Sequence, residues 1–232
     1  MEKNRFLSFI IDVVTAFVLF LFILSFSVVF TLNFRPLYYM DIEKLGIEER
    51  SGIPEEEIRE NYDVLIDYNS MFNDEELEFP TLAMSETGKI HFEEVKVIFV
   101  MFQKMALVTA ILGLFLILVQ RKKKPKRYLK YTGIITVLLP ALLGGAMALN
   151  WDKAFVVFHK IAFDNDYWIF DAKTDPVITI LPDTFFFHCA AMILGLVVAG
   201  SVLCLVLYGG SLKRAGKLEK MNSCAQKEKD VY

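Results

Sequence analysis

Three histidines occur in this 232-residue chain, at positions 91, 159 and 188. Imidazole is the usual proton carrier at neutral pH, so two of them at one reaction centre could take a proton from an attacking group and return it to a leaving group. Each also has an ordinary reading, as a hydrogen-bonded histidine at a membrane surface. Glu93 and Glu94 follow His91 in HFEEVK. Either could orient the ring, as a carboxylate does in other acid–base pairs, or serve in local capping. Lys104, next to Gln103, and Asp12 are ionisable residues inside apolar stretches. Such residues are functional candidates by default, although a lysine can also snorkel to the headgroups.

No GxSxG, HExxH, phosphate loop or dinucleotide fingerprint is present. The cysteines suggest neither a zinc site nor a disulfide framework. Cys189 and Cys204 would lie about 22 Å apart on one helix, too far for a bridge. Cys224 stands in a basic tail, and the apolar surroundings of Cys189 predict an inert thiol.

The elements that must position these residues are membrane helices. Hydrophobic residues make up 55% of the chain, Phe alone occurs 21 times, and the mean hydropathy is +0.42. A soluble domain of this size cannot hide that much apolar surface. Four stretches are long enough to span a bilayer, at about Phe6–Phe34, Val97–Val119, Tyr131–Leu149 and Phe185–Tyr208. The first is too long for a cleaved signal, and no small-residue cleavage site follows it. Lysine and arginine are concentrated in the start (Lys3, Arg5), in the loop RKKKPKRYLK from Arg121 to Lys130, which includes Lys124, and in the tail (Lys213, Arg214, Lys217). With four spans these segments share one side, which the positive-inside rule makes the cytoplasm. The basic loop reads as a topology signal and not as a nucleic-acid patch.

All three histidines then fall on the outer side, with two long connections. Within the first, at about 35–93, GIPEEEIRENYDVLIDYN predicts an amphipathic helix. Pro54 suits its first turn, Glu55–Glu57 suit its positive end, and Ile58, Tyr62, Leu65 and Ile66 share one face. Within the second, at about 150–184, DKAFVVFHKIAF predicts a short interfacial helix, with Trp151 and Trp168 at headgroup level. Pro140 and the Gly144–Gly145 pair predict a kink and close packing in the third span. The predicted fold is an all-α integral membrane protein with four transmembrane helices and a small extracytoplasmic cap. Residues 1–210 form one membrane domain, and 211–232 a cytoplasmic basic tail with little order.

The stretch FHKIAFDNDYWIFDAKTDPVITILPDTFF closely resembles a block of the bacterial lipoprotein intramolecular transacylases: a histidine, Phe-x-Asn-x-x-Trp, an Asp-rich turn, and Leu-Pro before the last helix. HFEEVK resembles a second block of that family, and SGIPEEEIRENYDVLIDYN its first outer loop. The four-helix layout agrees, so the resemblance spans nearly the whole chain apart from the tail. There are two departures. The family has Asp-Pro at Asp171-Ala172, which changes turn stiffness only. It has Asp at Glu94, where this chain keeps the charge on a longer arm.

The resemblance implies a multi-pass enzyme of the bacterial cell membrane with its site at the outer face. It would move an ester-linked acyl chain of a diacylglyceryl-cysteine lipoprotein to the α-amine of the same cysteine, leaving a lyso form. By motif the functional histidines are His91 and His159, with His91 favoured as base and His159 as acid or oxyanion partner, the reverse remaining open. Lys104, Glu94, Asn165, Trp168 and Asp175 are candidate substrate contacts. The partners expected are diacylglyceryl-modified lipoproteins and membrane lipid, with no cofactor, no metal, no nucleic acid and no obligatory protein partner. Two other readings fit the residues alone: a metal-dependent hydrolase using all three histidines, or a non-catalytic receptor or scaffold with an acidic cap.

Overall fold

In a computed structural model the described residues are 2–123 and 125–229; the side chains of 2–4, 139, 222 and 224–229 are outside the description, as is all of Lys124. Lys3 and Cys224, through their side chains, therefore lie outside the described residues too. Nine helices follow in order among the described residues: α1 Glu2–Asn33, α2 Arg35–Lys44, α3 Ile47–Ser51, α4 Glu55–Tyr68, α5 Glu86–Val119, α6 Arg127–Leu149, α7 Trp151–Ala162, α8 Val177–Ile180 and α9 Asp183–Lys229.

Helices α1, α5, α6 and α9 are long and apolar enough to cross a membrane, as the sequence predicts. Helix α1 packs against α5, α6 and α9, and α6 packs along α9. Inside lipid there is no hydrophobic drive between helices, so small residues and hydroxyls make the contacts. A Cβ on Gly133 of α6 would stand 2.6 Å from Leu205 Cγ, and one on Gly200 of α9 would stand 2.7 Å from Ile23 Cγ2. Ser201 Oγ donates to the Gly133 carbonyl across the α6–α9 seam at 2.7 Å. The expected close packing is therefore at Gly133. Gly145 has open space around it, and Gly144 meets only Leu194 at 3.7 Å. Helix α6 continues through Pro140.

At the basic end, Asp12 is buried and meets Lys123 Nζ at 2.7 Å. Gln120 Nε2 donates to Thr15 Oγ1 at 2.7 Å. Asp12 thus ties α1 to the basic loop, a structural duty. The tail departs from expectation, because α9 continues without a break to Lys229.

At the other end the two long connections fold into the predicted cap. Helices α2, α3, α4 and α8 close over the N-terminal ends of α5 and α9 around Tyr38, Ile42, Ile58, Tyr62, Ile180 and Phe185. Tyr38 stacks on Tyr62 with centroids 3.7 Å apart and donates its hydroxyl to the Ile180 carbonyl at 2.7 Å. Burial raises both phenol pKa values far above the ordinary range. The predicted amphipathic helix is α4, and its four named apolar residues are all buried. Gly46 (φ 58°) and Gly52 (φ 71°) bracket α3 in the left-handed region, where a side chain would be strained.

Candidate active site

Helix α5 begins eleven residues before the apolar stretch at Val97, so His91 lies on the helix, not ahead of it. Ser85 caps α5 by accepting the Gly88 N–H at 3.0 Å. Asp175 reinforces that start, accepting the Ser85 N–H at 2.7 Å and the Thr174 hydroxyl at 2.7 Å while only 2% exposed. Both of its oxygens are thus engaged in fixing the turn at the start of α5. A Cβ on Gly88 would fall 2.3 Å from Asp175 Oδ1. Gly88→Ala is therefore expected to push the carboxylate off the cap at a cost of about 1–3 kcal/mol, the usual range for overpacking. A thermal melt together with an activity assay should show both falling; unchanged values would mean that the cap adapts freely.

The second histidine arrives on α7. Asn150 caps this helix through the Lys153 N–H at 2.8 Å. Helix α7 buries no residue in the protein and leaves Val157, Phe158 and Ile161 exposed, as an interfacial helix should. Its His159 comes to 6.3 Å from His91, ring centroid to ring centroid. The sequence-predicted pair is thus brought together from positions 68 residues apart.

Aromatic rings hold both imidazoles. Phe163 and Phe170 meet His91 edge-on at 4.8 and 5.4 Å. Trp168 stacks on His159 at 4.7 Å, and Phe155 lies at 4.2 Å. His159 Nδ1 is 2.8 Å from the Phe155 carbonyl oxygen. A carbonyl only accepts, so Nδ1 carries the hydrogen and Nε2 presents a lone pair. Burial holds the His159 pKa below its ordinary value, so the ring is neutral at pH 7.

Neither glutamate orients His91. Glu94 Oε1 instead accepts from Asn165 Nδ2 at 2.8 Å, joining the two motif blocks across 71 residues of chain. Glu93 points away to an exposed face. Three buried polar atoms here have no protein partner: His91 Nδ1, Glu94 Oε2 and Trp168 Nε1. Leaving such a group unpaired costs about 1–3 kcal/mol, so their grouping in one aromatic pocket marks a place where a polar ligand completes the set.

Lys104 does not join this group. It lies thirteen residues beyond His91, about 20 Å along α5 and about 140° around it. His188 is elsewhere too, with Nδ1 donating to Asp41 Oδ2 at 2.7 Å. The three histidines therefore do not converge, and among the described residues no three of His, Cys, Asp or Glu are placed to share a metal ion. Cys189 packs against the cap core. Sequence reasoning missed Asp41, Gly88, Phe163 and Phe170. Asp41 carried a readable signal, since it shares a helical face with Tyr38, Ile42 and Leu45 and so puts a carboxylate on an apolar stripe.

A family model described as lipoprotein intramolecular transacylase Lit matches residues 13–186, a span that holds both histidines and the whole cap. The chain belongs to this family. The solved membrane integral lipoprotein intramolecular transacylase Lit of Bacillus cereus is similar at 37% identity, with a TM-score of 0.89 over 92% of this chain and 99% of that one. A histidine-to-alanine variant of the Bacillus cereus enzyme matches at 36% identity and TM-score 0.81, over 93% and 98% of the two chains. A histidine-to-arginine variant matches at 35% and 0.79, over 95% and 99%. No match is found among curated proteins. Family membership agrees with the all-helical architecture and makes the chain an acyltransferase of the membrane.

Proposed function

We propose that this transacylase moves an acyl chain from the glyceryl ester of a diacylglyceryl-cysteine lipoprotein to the free α-amine of the same cysteine, with His91 and His159 as the working pair. The observation that carries the reading is the pair itself, two imidazoles 6.3 Å apart among aromatic rings. The amine has an ordinary pKa of roughly 7.7–8.0, so its ammonium form first releases one proton to water; the neutral amine then attacks and must shed a second proton as the C–N bond forms. His159 Nε2 is free to take it, because Nδ1 is committed to Phe155. This favours His159 as base and reverses the preference drawn from the sequence. His91 donates a ring N–H to the carbonyl oxygen as charge develops there. As the new C–N bond forms and the C–O bond breaks, the proton on His159 passes to the glyceryl oxygen. The products are an amide and a free hydroxyl, so atoms and protons balance without an enzyme nucleophile.

Amine and ester belong to one molecule, and attack on the inner ester closes a ring of about eight atoms. Holding the two ends in register can supply much of the rate. Glu94 Oε2 and the Trp168 N–H are placed to hold the cysteine's amine and amide groups, with Asn165 fixing Glu94. The basic loop and basic tail support a topology with both termini in the cytoplasm and the cap outside, where mature lipoproteins sit. Residues 1–210 act as one membrane domain, with 211–229 as its cytoplasmic extension.

The test is expression in a bacterium whose lipoproteins carry diacylglyceryl groups and free N-termini. Tandem mass spectrometry of one N-terminal lipopeptide should find one chain moved from glyceryl oxygen to nitrogen with the total acyl count unchanged. A gain of one chain would point to an external donor, and an unaltered peptide beside well-expressed protein would refute the reading.

A further inference from the structure

Lys104 poses a problem that the transfer reaction does not solve. It sits in the apolar part of α5 on a face turned outward: Val97 is 70% exposed, Met101 53% and Val108 60%. Ionisable residues in membrane helices ordinarily face the bundle interior and find protein partners. Lys104 makes no hydrogen bond or ion pair with the described residues, so its counter-charge must come from the bilayer.

The depth fits one lipid group well. If the inner boundary lies at Val119, ahead of the polar Gln120 and Arg121, Lys104 stands about 23 Å up the helix. The hydrocarbon core is about 30 Å thick, which puts the Lys104 backbone about 7 Å below the outer boundary, within reach of a snorkelling lysine. Lys96, two turns further out on the same face, stands about 5 Å above that boundary. The phosphate layer of the outer leaflet lies between the two ammonium groups.

A groove of about 640 Å³ occupies this face. Its floor is Val97, Val100 and Met101, apolar and suited to an acyl chain. One wall is the turn after α4, pinned to α5 by Gln103, which donates to the Asn69 carbonyl at 2.6 Å and accepts the Met71 N–H at 2.9 Å. Tyr68 braces Lys96 with its ring 4.0 Å from Nζ. Glu93, about one turn beyond Lys96, stands at the outer rim, and Asp74 lines the groove from the turn after α4; neither has an ion-pair partner among the described residues. Along α5 the charges thus run in order of depth, Lys104 deepest, then Lys96, then Glu93.

We propose that this groove binds a zwitterionic glycerophospholipid of the outer leaflet. Its phosphate lies between Lys104 and Lys96, its ammonium group reaches Glu93, and one acyl chain lies on Val97 and Met101. A net-anionic lipid would satisfy the lysines and be repelled at the rim. The bound lipid would tie the cap to α5 at a fixed depth, on the face of the helix turned away from His91. The inference does not depend on the transacylase mechanism.

Native mass spectrometry of the full-length protein titrated with phosphatidylethanolamine, phosphatidylglycerol or diacylglycerol tests it. The wild type is expected to retain one phosphatidylethanolamine at least about tenfold more tightly than either other lipid. Lys104→Leu should erase that preference. This substitution suits a lipid-facing helix position, and a parallel thermal melt confirms folding. Glu93→Gln should bring phosphatidylglycerol level with phosphatidylethanolamine, and His91→Ala should leave retention unchanged, separating the groove from the acyl-transfer pocket. Equal retention of diacylglycerol or phosphatidylglycerol by the wild type, or no change in Lys104→Leu, would overturn the proposal.

Discussion

Replacing His91 or His159 by alanine is expected to lower acyl transfer by about two to four powers of ten, the usual worth of a positioned acid–base group. The loss of rate should far exceed any loss of folded protein. His91 makes no hydrogen bond that its loss would break, and its Nδ1 is already unpaired. The double variant should be little worse than either single one, since groups that act on one transition state are not additive. Glutamine substitutions then separate the roles. Glutamine at 91 keeps an N–H donor and should restore part of the rate. Glutamine at 159 cannot hold a proton and should restore none. The readout is the fraction of N-acylated lipopeptide per unit of folded enzyme. Retention of more than half the rate in His91→Ala would remove it from the reaction, and rescue at 159 but not at 91 would exchange the two roles.

The opposite signature is expected for the third histidine. Asp41 is 2% exposed, and among the described residues His188 is the only hydrogen-bond partner of its carboxylate. His188→Ala leaves a buried carboxylate uncompensated, a change that costs about 3–5 kcal/mol. His188 is itself about one-third exposed, so water offsets part of this and the lower end, about 3 kcal/mol, applies. For a chain of this length that is a fall of roughly 6–12 °C in melting temperature. Activity per folded molecule should survive, because His188 does not reach the transfer pocket. Adding Asp41→Asn to His188→Ala removes the stranded charge and should recover more than half of the loss. A melt that does not move in His188→Ala, or a double variant worse than the single, would show that this contact does not hold α2 to α9.

Much of the architecture could be read before any coordinates, because bilayer thickness imposes long apolar runs and charge sets their direction. The four spans, α4 and α7 were legible in this way. The start of α5 was not. Its first eleven residues are too polar to register as a span, and their helicity depends on Ser85 and on Asp175, which is 90 residues away. The basic C-terminal end of α9 was missed for a related reason: its sequence gives no apolar face, yet the helix continues from a span already formed. At the site, the two motif histidines were legible by type and resemblance. The Glu94–Asn165 bridge and the edge-on rings at His91 were not, since they depend on how two distant blocks meet. Lys104 shows the limit of residue type, which marks it as unusual but does not tell that it lies about 20 Å along α5 from His91.

The rings around the histidine pair have a consequence for what becomes of the activated ester. An acyl carbonyl polarised beside a general base is also open to water, which is far more abundant than any single amine. Phe163, Phe170, Phe155 and Trp168 leave little room for a competing solvent molecule once lipid fills the space between them. The partition between nitrogen and water as acceptor is then set by a hydrocarbon wall and not by the reactivity of the catalytic groups. Thinning that wall should produce an esterase-like leak, with free fatty acid appearing at the expense of the amide, even while both imidazoles stay in place.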